Sequence, residues 1–283
     1  MSTQGPIRLR QPVADQMADG VATRRVVRFR DTVETIDDEI VIEEPMEIRM
    51  ESEPLAVLMR TPGHEAELAL GFAITEGIVT GPESVTEVKE LGEGRWELVL
   101  AEGVAIDPEQ FKRNFYSTSS CGVCGKASID AIRVAQTFPP PGPSVSEAVI
   151  MSLPPALFAG QSAFHSTGGL HAAAAFTPQG DVVAIREDIG RHNATDKLVG
   201  HLARQQWPLP PLGLMVSGRV SFEIVQKAAV AGISIVCGVS AASSLAVDLA
   251  EEFGMTLIGF LRDEGFTVYA DNGRIEDLGG ESV

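Results

Sequence analysis

The chain has 283 residues, 44% of them hydrophobic, and is long enough to bury a sizeable core. Its 39 acidic and 22 basic side chains give a formal net charge of -17, which argues against a nucleic-acid partner, because phosphate contacts need clustered Lys and Arg. A small anionic ligand stays compatible with that charge, since a few arginines or a helix N-terminus hold phosphate locally.

Residues 1–20 are polar and read as a disordered tail. They lack the apolar stretch of a signal peptide, and no run of about 18 apolar residues occurs anywhere, so a cytoplasmic protein with no membrane segment is expected. Arg24, Arg25, Arg28 and Arg30 follow as a basic, solvated strand face. Met46, Ile48 and Met50 alternate with Glu47, Arg49 and Glu51, a period of two that predicts a half-buried antiparallel strand starting at Pro45. Residues 65–78 read as a helix with Leu68, Ala69, Phe72 and Ala73 on one side, ending near Gly77. Strands are predicted at 85–91 and 95–100, the second alternating Trp96, Leu98 and Leu100 against its neighbours.

The proline-rich stretch 138–143 marks a boundary. The expected organisation is thus a tail over 1–20, an α+β part over 21–137, and a second domain over 144–283. In that domain strands are predicted at 171–176, 182–186, 213–217, 233–238 and 255–261, with helices at 193–204, 221–231 and 243–253. Runs such as Leu212 to Val216 are too apolar for a sheet wet on one face, so helices should cover both faces in a three-layer α/β/α domain.

Three cysteines do not make a disulfide scaffold. Cys237 stands in an apolar strand and reads as core. Cys121 and Cys124 are the chemical signal. Three positions apart, with Gly122 and Gly125 allowing a tight loop, their thiols can face one another. A helix is predicted just beyond, with Ile129, Ile132 and Ala135 in one stripe, and its N-terminus together with Lys126 favours thiolate. Structural zinc needs four ligands, and with no second Cys or His pair at suitable spacing it would require a distant His. A thioredoxin-like motif would follow an N-terminal strand, whereas this pair follows a Ser/Thr run. Incidental loop thiols are a liability without packing benefit. A fourth reading beside these is persulfide transfer, in which a thiolate attacks a donor's persulfide and its neighbour assists capture or release.

Other polar groups gather where strands pass into helices. Asp188, Arg191, His192 and Asn193 occupy one such turn, as ligand contacts or as helix caps. Ser217, Gly218 and Arg219 occupy another and offer N–H groups and a guanidinium to phosphate. His165 and His171 flank Thr167, Gly168 and Gly169, either as a ligand approach or as a turn opening a buried strand.

Five segments recur together in register: the Cys121-Gly122-Val123-Cys124 loop, the run from Phe164 to Ala173, the run from Glu187 to Lys197, Ser217-Gly218-Arg219, and the run from Gly71 to Ile78. With these the chain resembles the formate dehydrogenase accessory sulfurtransferases, the FdhD family, over nearly its whole length after the tail. The resemblance implies a homodimer with a cytidine-deaminase-like α/β/α domain, acting as a sulfur carrier between a cysteine desulfurase and the molybdenum cofactor of formate dehydrogenase. It assigns the persulfide to Cys121, with Cys124 as helper. It also implies binding of the bis-molybdopterin guanine dinucleotide molybdenum cofactor, for which GDP serves as a mimic. The matching stretch is Phe260, Leu261, Arg262, Asp263, Glu264 and Gly265, and Ser217, Gly218 and Arg219 are placed beside it as phosphate contacts. Deaminase chemistry is not implied, since His171 is followed by two alanines and no proline precedes Cys121. The alternative function is a guanine-nucleotide-binding module or cofactor chaperone without transfer chemistry.

Overall fold

The computed structural model describes residues 17–18, 20–104, 106 and 142–276. The polypeptide opens with β1 (Met17–Ala18), β2 (Val21–Phe29) and β3 (Val33–Val41), an antiparallel sheet in the order β1-β2-β3. A four-stranded sheet follows from β4 (Glu44–Met50), β5 (Glu53–Arg60), β6 (Val85–Gly92) and β7 (Arg95–Leu100), in the order β5-β4-β7-β6. Met46 and Ile48 are fully buried, as their period of two requires, and β4 pairs antiparallel with β5 but parallel with β7. Helix α1 (Glu65–Thr75) connects the two halves of this sheet and ends before Gly77, whose φ of 70° suits a residue without Cβ.

Beyond residue 142 come β8 (Val145–Ser146), α2 (Glu147–Gly160), α3 (Ser162–Thr167), β9 (His171–Phe176) and β10 (Val182–Asp188). Strand and helix then alternate through α4 (Arg191–Gln205), β11 (Gly213–Val216), α5 (Phe222–Val230), β12 (Ile235–Gly238), α6 (Ser244–Glu252) and β13 (Thr256–Arg262), before β14 (Gly265–Ala270) and β15 (Ile275–Glu276). Six of these strands form a mixed sheet in the order β10-β9-β11-β12-β13-β14. β11, β12 and β13 run parallel, with β9 and β14 antiparallel at their flanks.

Helices cover both faces of this sheet. Ala173, Ala175, Leu214, Val216, Val236 and Leu257 share one apolar cluster with residues of α1, α4, α5 and α6. Ala172, Ala174, Met215, Ile235, Cys237 and Ile258 share the other with Ile150, Leu153 and Leu157 of α2. Cys237 is core, as its apolar strand predicts, and burial pushes its thiol up to about 12. The sequence reading has no helix at α2 and no strand at β14. Pro154 and Pro155 sit inside α2 and interrupt the pattern by which a helix is recognised.

The first cluster runs on without a break into the four-stranded sheet, through Met46, Ile48, Leu68, Ile74 and Leu98. The contact is closest where α1 crosses α4: a Cβ at Gly71 would lie 1.8 Å from the Asp196 carbonyl oxygen, and one at Gly200 would lie 1.9 Å from that of Glu67. Two glycines therefore let two helix backbones touch.

Candidate functional site

All the turns of interest meet at one edge of the six-stranded sheet. β9 runs antiparallel to β11, with Ala173 opposite Val216, so its first residue, His171, lies at the C-terminal end of β11. Asp188 pairs with His171 and brings the end of β10 to the same edge. Ser217, Val239 and Arg262 follow or end β11, β12 and β13 there, and α4, α5 and α6 start from it. This is where an open α/β sheet collects ligands.

The edge holds a cavity of about 800 Å³. Pro154, Pro155 and Phe158 of α2 and Phe164 of α3 supply an apolar wall, and Gly168 and Gly169 lead from α3 to His171 on the next side. Opposite stand Ser217, Val239, Leu261, Arg262 and Asp263. Mostly apolar walls with a few polar groups suit a planar or amphipathic ligand rather than a bare ion.

The polar groups are held from behind. The Ser217 N–H donates to the Ala172 carbonyl and its Oγ accepts from the Ala172 N–H, both at 2.9 Å. Glu187 accepts from the Ala163 and Phe164 N–H groups at 3.1 and 2.8 Å, so a strand carboxylate holds the start of α3. His165 Nε2 lies 2.8 Å from the Phe158 carbonyl oxygen, and the two rings meet edge to face at 4.3 Å. A Cβ at Gly218 would sit 3.2 Å from the His171 ring and 3.7 Å from Arg191 Cδ, so only a small residue admits both. Burial, and then the Arg191 charge, hold the His171 imidazole below its ordinary value, with Asp188 opposing. Arg262 donates from Nε to the Val239 carbonyl at 3.4 Å and stands 6.0 Å above the Phe260 ring. Phe260 has a φ of 50°, an uncommon left-handed conformation for an aromatic residue.

Of the predicted cofactor-binding residues, Ser217, Leu261, Arg262 and Asp263 line this cavity together. Leu261 is fully buried and belongs to the core on that face of the sheet. Arg219 is exposed, and neither it nor Gly218, Phe260, Glu264 or Gly265 is among the lining residues. The stretch 260–265 is the end of β13 and the turn into β14 rather than an open loop. Cys121 and Cys124 lie outside the described residues. The wall from α2 was missed in the sequence for the same reason as the helix itself.

Asp188 and Asn193 act on the fold. Asp188 is fully buried and accepts from the N–H groups of Thr61 and Gly190 at 3.1 and 2.8 Å and from Asn193 Nδ2 at 3.0 Å, and it pairs with Lys197 at 2.7 Å. Lys197, equally buried, also donates to the Thr61 carbonyl. A buried charge needs such complete partners, and these tie the turn before α4 to the end of β5. A second buried group joins Asp196, Lys227, Thr75 and Glu76, with Lys227 Nζ 2.9 Å from Asp196 and 2.8 Å from Glu76. Nothing in the sequence reading singled out Lys197 or Lys227, because a lysine in an amphipathic helix reads as solvated.

Residues 41–276 match the FdhD/NarQ family. The chain belongs to that family. It is 47% identical over 266 residues to the sulfur carrier protein FdhD of Streptomyces coelicolor, covering 89% of this chain and 94% of that one. With the protein of the same name from Mycobacterium tuberculosis it shares 44% over 275 residues, covering 92% of this chain and all of that one. A third, from Sulfolobus acidocaldarius, is 41% identical over 241 residues, 85% and 92% of the two chains. The fold matches a crystal structure from Desulfotalea psychrophila, described as a formate dehydrogenase accessory protein, with a TM-score of 0.73 at 21% identity, over 90% of this chain and 99% of that one. The FdhD/NarQ match spans the four-stranded and six-stranded sheets and the six α-helices among the described residues.

Proposed function

We propose that this FdhD/NarQ chain is a cytoplasmic sulfur carrier for formate dehydrogenase, taking sulfur from a cysteine desulfurase onto Cys121 and passing it to a guanine-dinucleotide molybdenum cofactor. The observation that carries the nucleotide half of this reading is the cavity, which brings together Ser217, Arg262 and Asp263 from segments 45 residues apart in sequence. Its size falls within the range of small-molecule sites, roughly 300–1,000 Å³, and holds one nucleotide end of the cofactor rather than the whole. Arg262 and the Ser217 hydroxyl are the groups suited to phosphate oxygens, and the apolar wall suits a base. The sheet order, with β9 antiparallel to the three parallel strands, supports a domain of the cytidine-deaminase-like type.

The transfer half rests on the two thiols. The Cys121 thiolate attacks the outer sulfur of the desulfurase persulfide. An S–S bond forms on Cys121, the donor's S–S bond breaks, and the donor cysteine leaves as thiolate. Attack by Cys124 on the Cys121 Sγ then frees the outer sulfur as hydrosulfide for the cofactor and leaves a disulfide, which a cellular thiol reopens. The acceptor is cargo, and the chain acts as a homodimer.

Mass spectrometry after incubation with desulfurase and cysteine should show one added sulfur on the peptide containing Cys121. Cys121→Ala should abolish both that increment and the activation of formate dehydrogenase. A Cys121→Ala, Cys124→Ala chain that still binds GDP and still activates the enzyme would favour a cofactor-binding chaperone instead.

A further inference from the structure

β2 and β3 form a hairpin of two nine-residue strands, and among the described residues only Met17 and Ala18 pair with the outer edge of β2. A two-stranded hairpin alone is marginal in water, and an open face on it invites a partner. Its two faces differ. The even-numbered face is partly covered, with Ala22 buried and Val26, Arg28, Ile36 and Asp38 half-buried. The odd-numbered face is exposed from Thr23 to Phe29 and from Val33 to Glu39. On it Val27, Phe29 and Val33 are 69, 77 and 70% exposed, and Phe29 pairs directly with Val33, so three large apolar side chains form one patch at the tip.

Charge on this face is sorted by strand. Arg25 is the charged residue of β2 on this side, and Asp37 and Glu39 are those of β3, with Arg25 in register with Asp37. We propose that two copies of the chain pair face to face through this side of the hairpin, about a two-fold axis parallel to its strands. That axis lays β2 of one copy over β3 of the other at the same height, so Arg25 meets Asp37 twice and the two tips cover each other. A two-fold axis across the strands would instead stack β2 on β2 with directions reversed, so Arg25 would face β2 of the other copy rather than Asp37. The face thus carries its own complement, which is the requirement for an isologous contact, and this selects a second copy over an unrelated partner. Residues 23–39 precede the part of the chain that matches the family, while Val41, at the base of β3, lies against Gly169 at the cavity wall.

The inference rests on the homodimer of the proposed function, and its test separates the two. Sedimentation velocity across a concentration series should show the full-length wild-type chain as a dimer. Arg25→Glu and Asp37→Arg each bring like charges together at both contacts and should each weaken dimerisation about tenfold or more. An equimolar mixture of the two variant chains restores both opposite-charge contacts and should form a heterodimer within roughly threefold of the wild-type affinity. Changes confined to one hairpin cannot produce that recovery. A monomeric wild-type chain overturns the dimer itself. A wild-type dimer that persists in both variants, or variants that stay monomeric on mixing, overturn the hairpin as its interface.

Discussion

Arg219 and Arg262 both follow apolar strands and carry the same charge, but only Arg262 reaches the cavity wall. A phosphate contact by a guanidinium in a partly apolar site is worth about 1.5–3 kcal/mol, or roughly ten- to a hundredfold in affinity. Calorimetric titration with GDP should therefore show that loss in Arg262→Ala and a change below about threefold in Arg219→Ala, whose side chain is solvated. Equal losses in both would move the phosphate off the cavity wall. His171 makes a different kind of prediction. Its folded-state pKa is depressed, by burial first and Arg191 second, so the fold favours the neutral ring. The unfolded chain takes up a proton near pH 6.5, so stability is level above that pH and falls as pH drops below it, until the folded ring also protonates. His171→Gln removes this contribution, and its urea midpoint should fall less than that of the wild type between about pH 7 and pH 5. An equal fall in both would assign the acid sensitivity to another group.

Helices α1 and α4 touch through Gly71 and Gly200, and the separation there leaves no room for a methyl group. Overpacking typically costs about 1–3 kcal/mol where side chains can yield, and backbone cannot yield as a side chain does. Gly71→Ala and Gly200→Ala should each lower stability by at least about 3 kcal/mol in urea unfolding, against the gain of up to about 1 kcal/mol that alanine brings within a helix. A gain in either variant would mean that the crossing relaxes freely. In sequence Gly71 is only a glycine inside a helical pattern, since what it touches lies more than 120 residues away. The same limit separates what was legible from what was not. Strands β9 and β11 to β13 and helices α4 to α6 were read within two residues of their bounds, and α1 within three, because each carries its own period or apolar run. Helix α2 was lost to Pro154 and Pro155, and with it an entire wall of the cavity. β14 was lost because it is recognised by pairing with β13 rather than by its own pattern. The placement of Ser217 and Arg262 at one edge followed from strand order, whereas the solvation of Arg219 depended on side-chain direction.

The apolar cluster that begins at Met46 on β4 ends at Ala270 on β14, and the buried pairs Asp188–Lys197 and Asp196–Lys227 bind to Thr61, Thr75 and Glu76 across the same boundary. An interface between independent domains is ordinarily more polar and less buried than this. Residues 44–100 and 171–270 should therefore lose their structure together. The two tryptophans make this measurable. Trp96 lies in β7 of the four-stranded sheet, whereas five of the six helices among the described residues follow residue 142. In a Trp207→Phe chain, Trp96 fluorescence reports the first part and far-UV circular dichroism chiefly the second. If the shared core couples them, the two urea transitions coincide in midpoint and in slope. A fluorescence midpoint well below the dichroism midpoint would show that the four-stranded sheet detaches first, leaving the α4 face of the larger sheet exposed. The buried Lys197 would then lose its Thr61 partner before the rest of the molecule unfolds. That outcome is opposed by the two hydrogen bonds to charged groups it would break, Lys197 to the Thr61 carbonyl and the Thr61 N–H to Asp188, each worth about 1.5–3 kcal/mol, while the Asp188–Lys197 pair itself stays intact.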